Sequence, residues 1–233
     1  WSYRVRGRRA MAFDFDSGRG ADTGYYVSYA HYFFPTPNID VGLRLHPTEK
    51  LGVGVGVEGR YDFMEAPASP LFRGEGAFRT MLTTKDDNGR AEFYHRHELD
   101  EDTILRLQWE QWFDQDFVKD FYYDEYRHRT EPRTFANVTR TRPDYIATAT
   151  VRATTNDFVA ETERLPEVTF HLLERPLLDR LYFTYDMVTG YNEREPSGMH
   201  SGRSVHVARV TGDIDVPSAL SLTPFAEVEA AYY

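Results

Sequence analysis

Two stretches carry residue types and spacings that could do chemistry. Tyr94-His95-Arg96-His97-Glu98 sets two imidazoles two residues apart, on one face of an extended chain, where both nitrogens could reach a divalent metal. No third ligand is evident nearby, and a polar strand face accounts for the same residues. Between Glu110 and Tyr126, the carboxylates Glu110, Asp114, Asp116, Asp120, Asp124 and Glu125 are interleaved with Trp112, Phe113, Phe117, Phe121, Tyr122 and Tyr123. Two carboxylates can divide acid and base roles over a sugar stacked on aromatic rings. A solvated acidic loop has the same composition. The chain carries no Gly-x-Ser-x-Gly, no phosphate-binding loop and no dinucleotide fingerprint, and Gly52-Val53-Gly54-Val55-Gly56 continues a strand alternation instead of opening a helix. With Cys at 0, thiol nucleophiles, thiolate metal sites and disulfides are excluded. No catalytic residue, metal site or cofactor is expected.

The elements that would position these side chains read as strands. From Tyr25 onward the apolar period is close to two, and no stretch of helical length shows an i, i+3, i+4, i+7 stripe. The clearest strand is Leu51 to Tyr61, with Leu51, Val53, Val55, Val57 and Tyr61 on one face and Gly52, Gly54, Gly56, Glu58 and Arg60 on the other. Ile104 to Phe113, Asp144 to Ala153 and Arg180 to Tyr191 repeat the alternation. Further strands are expected at Tyr25 to Phe34, Ile39 to His46, Leu71 to Thr83, Ala91 to Leu99, Thr134 to Thr141, Val168 to Leu173, Arg203 to Asp213 and Thr223 to Tyr233. Breaks fall at Pro35 to Asn38, Ala66 to Pro70, Lys85 to Gly89, Leu99 to Asp102 and Arg194 to Gly198, which suits a meander of hairpins. Ser2 to Gly24 reads as a short strand bearing Arg4, Arg6, Arg8 and Arg9, followed by a Gly/Asp/Ser-rich linker from Asp16 to Asp22.

Composition narrows the class. The 233 residues hold no run near the roughly 18 to 20 apolar residues of a spanning helix, so a helical membrane protein is excluded. A net charge of -10 argues against a nucleic-acid partner. Aromatic residues reach 15% in a chain with 27% charged residues, so rings and charges are interspersed. Strands near ten residues long, apolar on one face and polar on the other, with clustered aromatics, are the signature of a membrane barrel. A soluble β-sandwich also alternates and fills its core with aromatics. Both readings stay open on pattern alone. The alternating glycines leave space for something to pack against the wall, and Pro35, Pro37 and Pro47 remove backbone donors near the first two strands or merely define turns.

Several stretches, in order, resemble the outer-membrane lipopolysaccharide-assembly protein family (LptD/OstA). Tyr32-Phe33-Phe34-Pro35-Thr36-Pro37-Asn38-Ile39-Asp40-Val41 is similar to that family's opening barrel hairpin. Lys50 to Val53, running to Glu58-Gly59-Arg60-Tyr61, is similar to the next strand. Asp114-Gln115-Asp116-Phe117-Val118-Lys119-Asp120-Phe121, Leu165-Pro166-Glu167-Val168 and Arg203-Ser204-Val205-His206-Val207, continuing toward Pro217 and Pro224, resemble later elements.

The resemblance implies an all-β chain, an antiparallel meander forming part of a transmembrane β-barrel in the outer membrane of a Gram-negative-type bacterium. Residues 1-22 would be an N-terminal segment or linker, a remnant of a periplasmic domain, and 23-233 an incomplete barrel portion. Its function would be non-enzymatic delivery of lipopolysaccharide to the outer leaflet through a lateral gate. The partners implied are lipopolysaccharide, outer-membrane lipids, a plug lipoprotein and periplasmic bridge proteins. By position, Pro37 and Pro47 correspond to gate prolines that weaken the first two strands. The family's barrel has more strands than this chain supplies, and its inter-domain disulfide cannot form without Cys. A secreted β-sandwich that binds or hydrolyses polysaccharide through Trp109 to Tyr126, and a porin-like uptake barrel, are the alternatives.

Overall fold

The structure is a computed structural model that describes residues 12–64, 73–85, 88–128, 131–159, 162–194, 199–216 and 220–233. The expected strand at Arg4 to Arg9, the turns at Ala66 to Pro70, Asp86-Asp87 and Glu195 to Gly198, and Pro217 lie outside the described residues.

The chain is all-β, as the two-residue period requires. Thirteen strands hydrogen-bond in sequence order as one antiparallel meander: β1 (Phe13–Gly20), β2 (Gly24–Thr36), β3 (Ile39–Pro47), β4 (Val53–Asp62), β5 (Gly74–Thr83), β6 (Gly89–Glu98), β7 (Thr103–Trp112), β8 (Thr134–Thr141), β9 (Tyr145–Ala153), β10 (Thr162–Leu178), β11 (Leu181–Arg194), β12 (Met199–Gly212) and β15 (Phe225–Tyr232). A small hairpin, β13 (Ile214–Val216) with β14 (Leu220–Leu222), interrupts the last connection. The helices are short, α1 (Phe117–Phe121) and α2 (Tyr123–Tyr126), and no helix among the described residues is long and apolar enough to cross a membrane.

Two expectations change. The Gly/Asp/Ser stretch expected as a linker supplies β1, which pairs residue by residue with β2 from Phe13 opposite His31 to Gly20 opposite Gly24. The pairing gives these flexible residues the ladder that their own propensity would not. Val168 to Leu173 is only the middle of β10, whose bulges between Arg164 and Glu167 and between Leu172 and Arg175 let the strand run past Pro166 and toward Pro176.

The chain divides into two compact units. The first unit (Trp1–Glu98, Arg106–Thr134 and Thr154–Val159) holds the buried cluster Met81, Trp112, Phe117 and Val118, packed against Phe121, Tyr122, Tyr126 and Phe158. Its strands are apolar outside and polar inside. On β2, Tyr25, Val27, Tyr29 and Phe33 are exposed while Ser28 and Tyr32 are buried. On β3 and β4, Leu43 is 54% and Val55 54% exposed, against 7% for Asp40 and 8% for Glu58. Gly54 permits one of these inward contacts, because a Cβ there would come within 2.1 Å of Met81 Cε.

The second unit (Leu99–Leu105, Phe135–Ala153 and Ala160–Tyr233) keeps the same division along its registers. Tyr145, Leu172, Tyr185, Ala208 and Val228 form one apolar row across β9, β10, β11, β12 and β15. Thr150, Glu167, Gly190 and Arg203 form a row on the opposite face.

Candidate functional site

Charged residues on the polar face of β3 to β6 come at every second position, so each strand presents them to its neighbour's. Arg44 pairs with Glu58 at 3.1 Å and Asp14 at 3.2 Å, Arg60 with Asp40 at 2.6 Å, and Arg79 with Glu92 at 2.7 Å. Tyr32 donates to Glu58 as well. A small cavity of about 120 Å³ lies among Glu58, Arg60, Arg79, Glu92, Gln108 and Glu110. Glu110 is held there, accepting from Gln108 Nε2 and from the Arg133 backbone N–H.

The segment after β7 folds back over part of this face. Phe117 and Val118 are fully buried, the Tyr122 hydroxyl reaches Met81 Sδ, and the Phe121 and Tyr122 rings approach His46, which also stacks on Tyr26 at 5.3 Å. Glu125 fastens it, accepting from Arg79 at 2.9 Å and from Arg90 at 3.0 Å. Burial alone would raise the Glu125 pKa, but Arg79 and Arg90 together hold it below the usual carboxylate range. Arg90 has no exposed surface; its guanidinium lies 3.8 Å from the centre of the Tyr122 ring, and its Nε and Nη2 meet no hydrogen-bond partner among the described residues. Asp120 shifts the other way, raised by burial and by the nearby Asp22 and Asp116.

The aromatic-acidic stretch is therefore neither a freely solvated loop nor an open cleft. Trp112, Phe117, Phe121 and Tyr122 serve as packing, Glu125 is occupied by two guanidinium groups, and Asp114 and Asp116 remain exposed. Two carboxylates free to share a substrate are not assembled from Glu110 and Glu125, since each is already bound by donors of the fold.

His95 and His97 stand together, with ring centres 5.6 Å apart, and His95 Nδ1 lies 2.6 Å from the Tyr61 hydroxyl. No group of three metal-ligating side chains occurs among the described residues. The pair belongs instead to an aromatic band on the apolar face with Tyr61, Phe63 and Phe93. In the second unit a similar chain of rings runs Tyr145, Phe170, Tyr185, His206 and Tyr232, with centres 5.6 to 6.4 Å apart and the Tyr185 hydroxyl 2.6 Å from His206 Nδ1.

Pro37 lies in the turn between β2 and β3, and Pro47 ends β3 opposite Val53. Both strands have a neighbour on each side, because β1 lies outside β2. What sequence reasoning missed is the grouping of Arg79 and Arg90 with Glu125. A charged residue at every second strand position was the available signal, but its partner stands 46 and 35 residues away on a connecting segment.

Comparison with models of known protein families and with curated proteins gives no match.

Proposed function

We propose that this chain is wall of a transmembrane β-barrel that passes lipopolysaccharide across the outer membrane without chemistry. One observation carries the membrane reading: in the same strands the large apolar side chains are exposed and the charged ones are buried, as with Leu43 and Val55 against Asp40 and Glu58. A soluble sandwich would bury the first set and solvate the second. Lipid against the apolar faces and water against the polar ones satisfies both. The ring bands built on Tyr61 and His95 and on Tyr185 and His206 combine an apolar body with a polar tip, which suits a membrane–water boundary. The cargo is supported by the ordered resemblance from Tyr32 to His206. A gate at Pro37 and Pro47 rests on that resemblance alone.

Refolding with phosphatidylcholine vesicles, followed by flotation and an alkaline wash, tests the wall. The chain should float with lipid and resist extraction; a monodisperse soluble protein in buffer without detergent would refute it. For the cargo, a photo-reactive residue placed at Gln108 on the polar face should capture lipopolysaccharide in source cells, while one at Leu43 on the apolar face should not. Capture at neither position removes the cargo and leaves the wall.

A further inference from the structure

The connecting segment after β7 seals polar groups of the first unit and leaves some of them unmet. Arg90 on β6 has no exposed surface, and its carboxylate neighbours, Glu125 at 3.0 Å and Glu92 at 3.5 Å, both engage Nη1. Its Nε and Nη2 meet no hydrogen-bond partner among the described residues. His46 on β3 is 4% exposed, and neither of its ring nitrogens meets one either. Both side chains lie against Tyr122: the Arg90 guanidinium is 3.8 Å from the centre of that ring, and the His46 ring is 6.2 Å from it. A buried donor without an acceptor is costly, and two such groups under one ring mark a site that the seated segment fills incompletely. What holds the segment there is uneven. Glu125 spends both oxygens, accepting from Arg79 Nη2 at 2.9 and 3.2 Å and from Arg90 Nη1, and Phe117 and Val118 add apolar burial. The Tyr122 hydroxyl, by contrast, has the Met81 thioether as its acceptor, a weak one, and α1 and α2, five and four residues long, begin without a side-chain cap.

We infer that Arg79, Arg90 and His46 form an anion site that the chain's own Glu125 occupies, and that a phosphate monoester takes its place by lifting the segment from Phe117 to Tyr126 off the sheet. A carboxylate has two oxygens, and Glu125 has used both. A phosphate monoester brings three acceptor oxygens, enough to keep the bonds to Arg79 and Arg90 Nη1 and to reach a donor that Glu125 leaves unmet. The guanidinium groups stay charged at any working pH. Glu92, at 2.7 Å from Arg79, belongs to β6 and stays behind to hold that side chain in place. Because Tyr122 covers both Arg90 and His46, filling the site and lifting the segment are one event. All of these residues belong to the first unit, and the site needs no lipid on the apolar faces, so its test stands apart from that of the membrane wall.

Acrylamide quenching of a variant that keeps Trp112 as its single tryptophan reads the lifting, since Trp112 is 1% exposed in the cluster that Phe117 and Val118 complete. With the whole chain folded in detergent micelles, inorganic phosphate in the buffer and phosphatidic acid in the micelle are titrated separately, against sodium chloride at matched ionic strength. Quenching should rise saturably with at least one phosphate source and not with chloride. A response to inorganic phosphate assigns a free ion, and a response to phosphatidic acid alone assigns a lipid headgroup. His46→Phe keeps an aromatic ring beside Tyr26 but loses the donor, and should need about threefold more phosphate or worse. Glu125→Gln weakens the built-in competitor and should need about tenfold less. Arg209→Gln, whose side chain is held by Glu227 at 2.7 Å in the second unit, should respond as the parent does. If Glu125→Gln loses its strand spectrum, the parent and His46→Phe still decide. No rise with either source, an equal rise with chloride, or a parent-like phosphate requirement in His46→Phe or in folded Glu125→Gln would each overturn the site. A chain that answers to phosphate but fails to float with vesicles keeps this site and loses the membrane wall.

Discussion

The polar faces of the two units solve the same problem differently. On β3 to β6 nearly every cation has a carboxylate across the ladder, and Glu125 arrives from a connecting segment to bridge Arg79 and Arg90. On β9 to β12 the cations are more exposed: Arg164 pairs with Glu167 at 2.8 Å, Arg203 makes no ion pair among the described residues, and a groove stands open. Desolvation separates the cases: Arg90 has no exposed surface, and an unpaired charge there would be costly, whereas exposed Arg164 and Arg203 keep water as a partner. A buried polar face must be internally neutral. An open one can leave part of its charge to water.

The sharpest way to break the contrast is to unpair the covered face. Glu125→Gln leaves Arg90 buried beside a neutral amide and should cost about 3 to 5 kcal/mol, read as a fall in the denaturant midpoint of the micelle-folded chain. Proteolysis between α1 and α2 should increase in parallel. Next, Leu43→Lys puts a charge in the middle of an exposed apolar face; in lipid it should cost about 2 to 4 kcal/mol, and a nearly neutral outcome would show that no lipid meets that face. Acid gives a smaller, graded version of the first change. Because the folded Glu125 pKa lies below its ordinary value of 4.5, its contribution is complete above that pH and is lost as pH falls through the lowered value. An acid titration of the same midpoint should show this limb, and Glu125→Gln should flatten it. Smallest of all, Arg203→Gln should change stability by no more than about 0.5 kcal/mol, as expected for an exposed residue with no ion pair among the described residues. A large loss there would mean that the second face is also an internally compensated lattice.

The strands were legible because alternation is local. Val53, Val55 and Val57 against Gly54, Gly56 and Glu58 gave β4 and its two faces directly, and Gly54 does make room, for Met81. Phe13 to Gly20 was not legible, because Asp16, Ser17, Gly18 and Gly20 have turn chemistry, and only pairing with β2 makes them a strand. In β10 the alternation is clear only from Val168 to Leu173, and the bulges that carry the strand past Pro166 and toward Pro176 come from its pairing with β11. The site was harder still. The aromatic-acidic stretch stood out in sequence, but which of its carboxylates turns inward depends on long-range partners, and nothing in the spacing singles out Glu125 over Asp114 or Asp116. The groove lined by Arg152, Arg164 and Arg203 was hidden for the same reason, since those residues come together through strand register.

Strand β7 carries an optical consequence. Trp109 and Trp112 are three residues apart and so emerge on opposite sides of one strand: Trp109 is 41% exposed, while Trp112 is sealed, with its indole nitrogen donating to Glu92 at 3.3 Å. Two fluorophores thus stand on opposite faces, one open to quenchers in the surrounding medium and the other reporting whether the segment from Phe117 to Tyr126 is seated. Spectra of single-tryptophan variants would read the two faces of the sheet separately and without an added label.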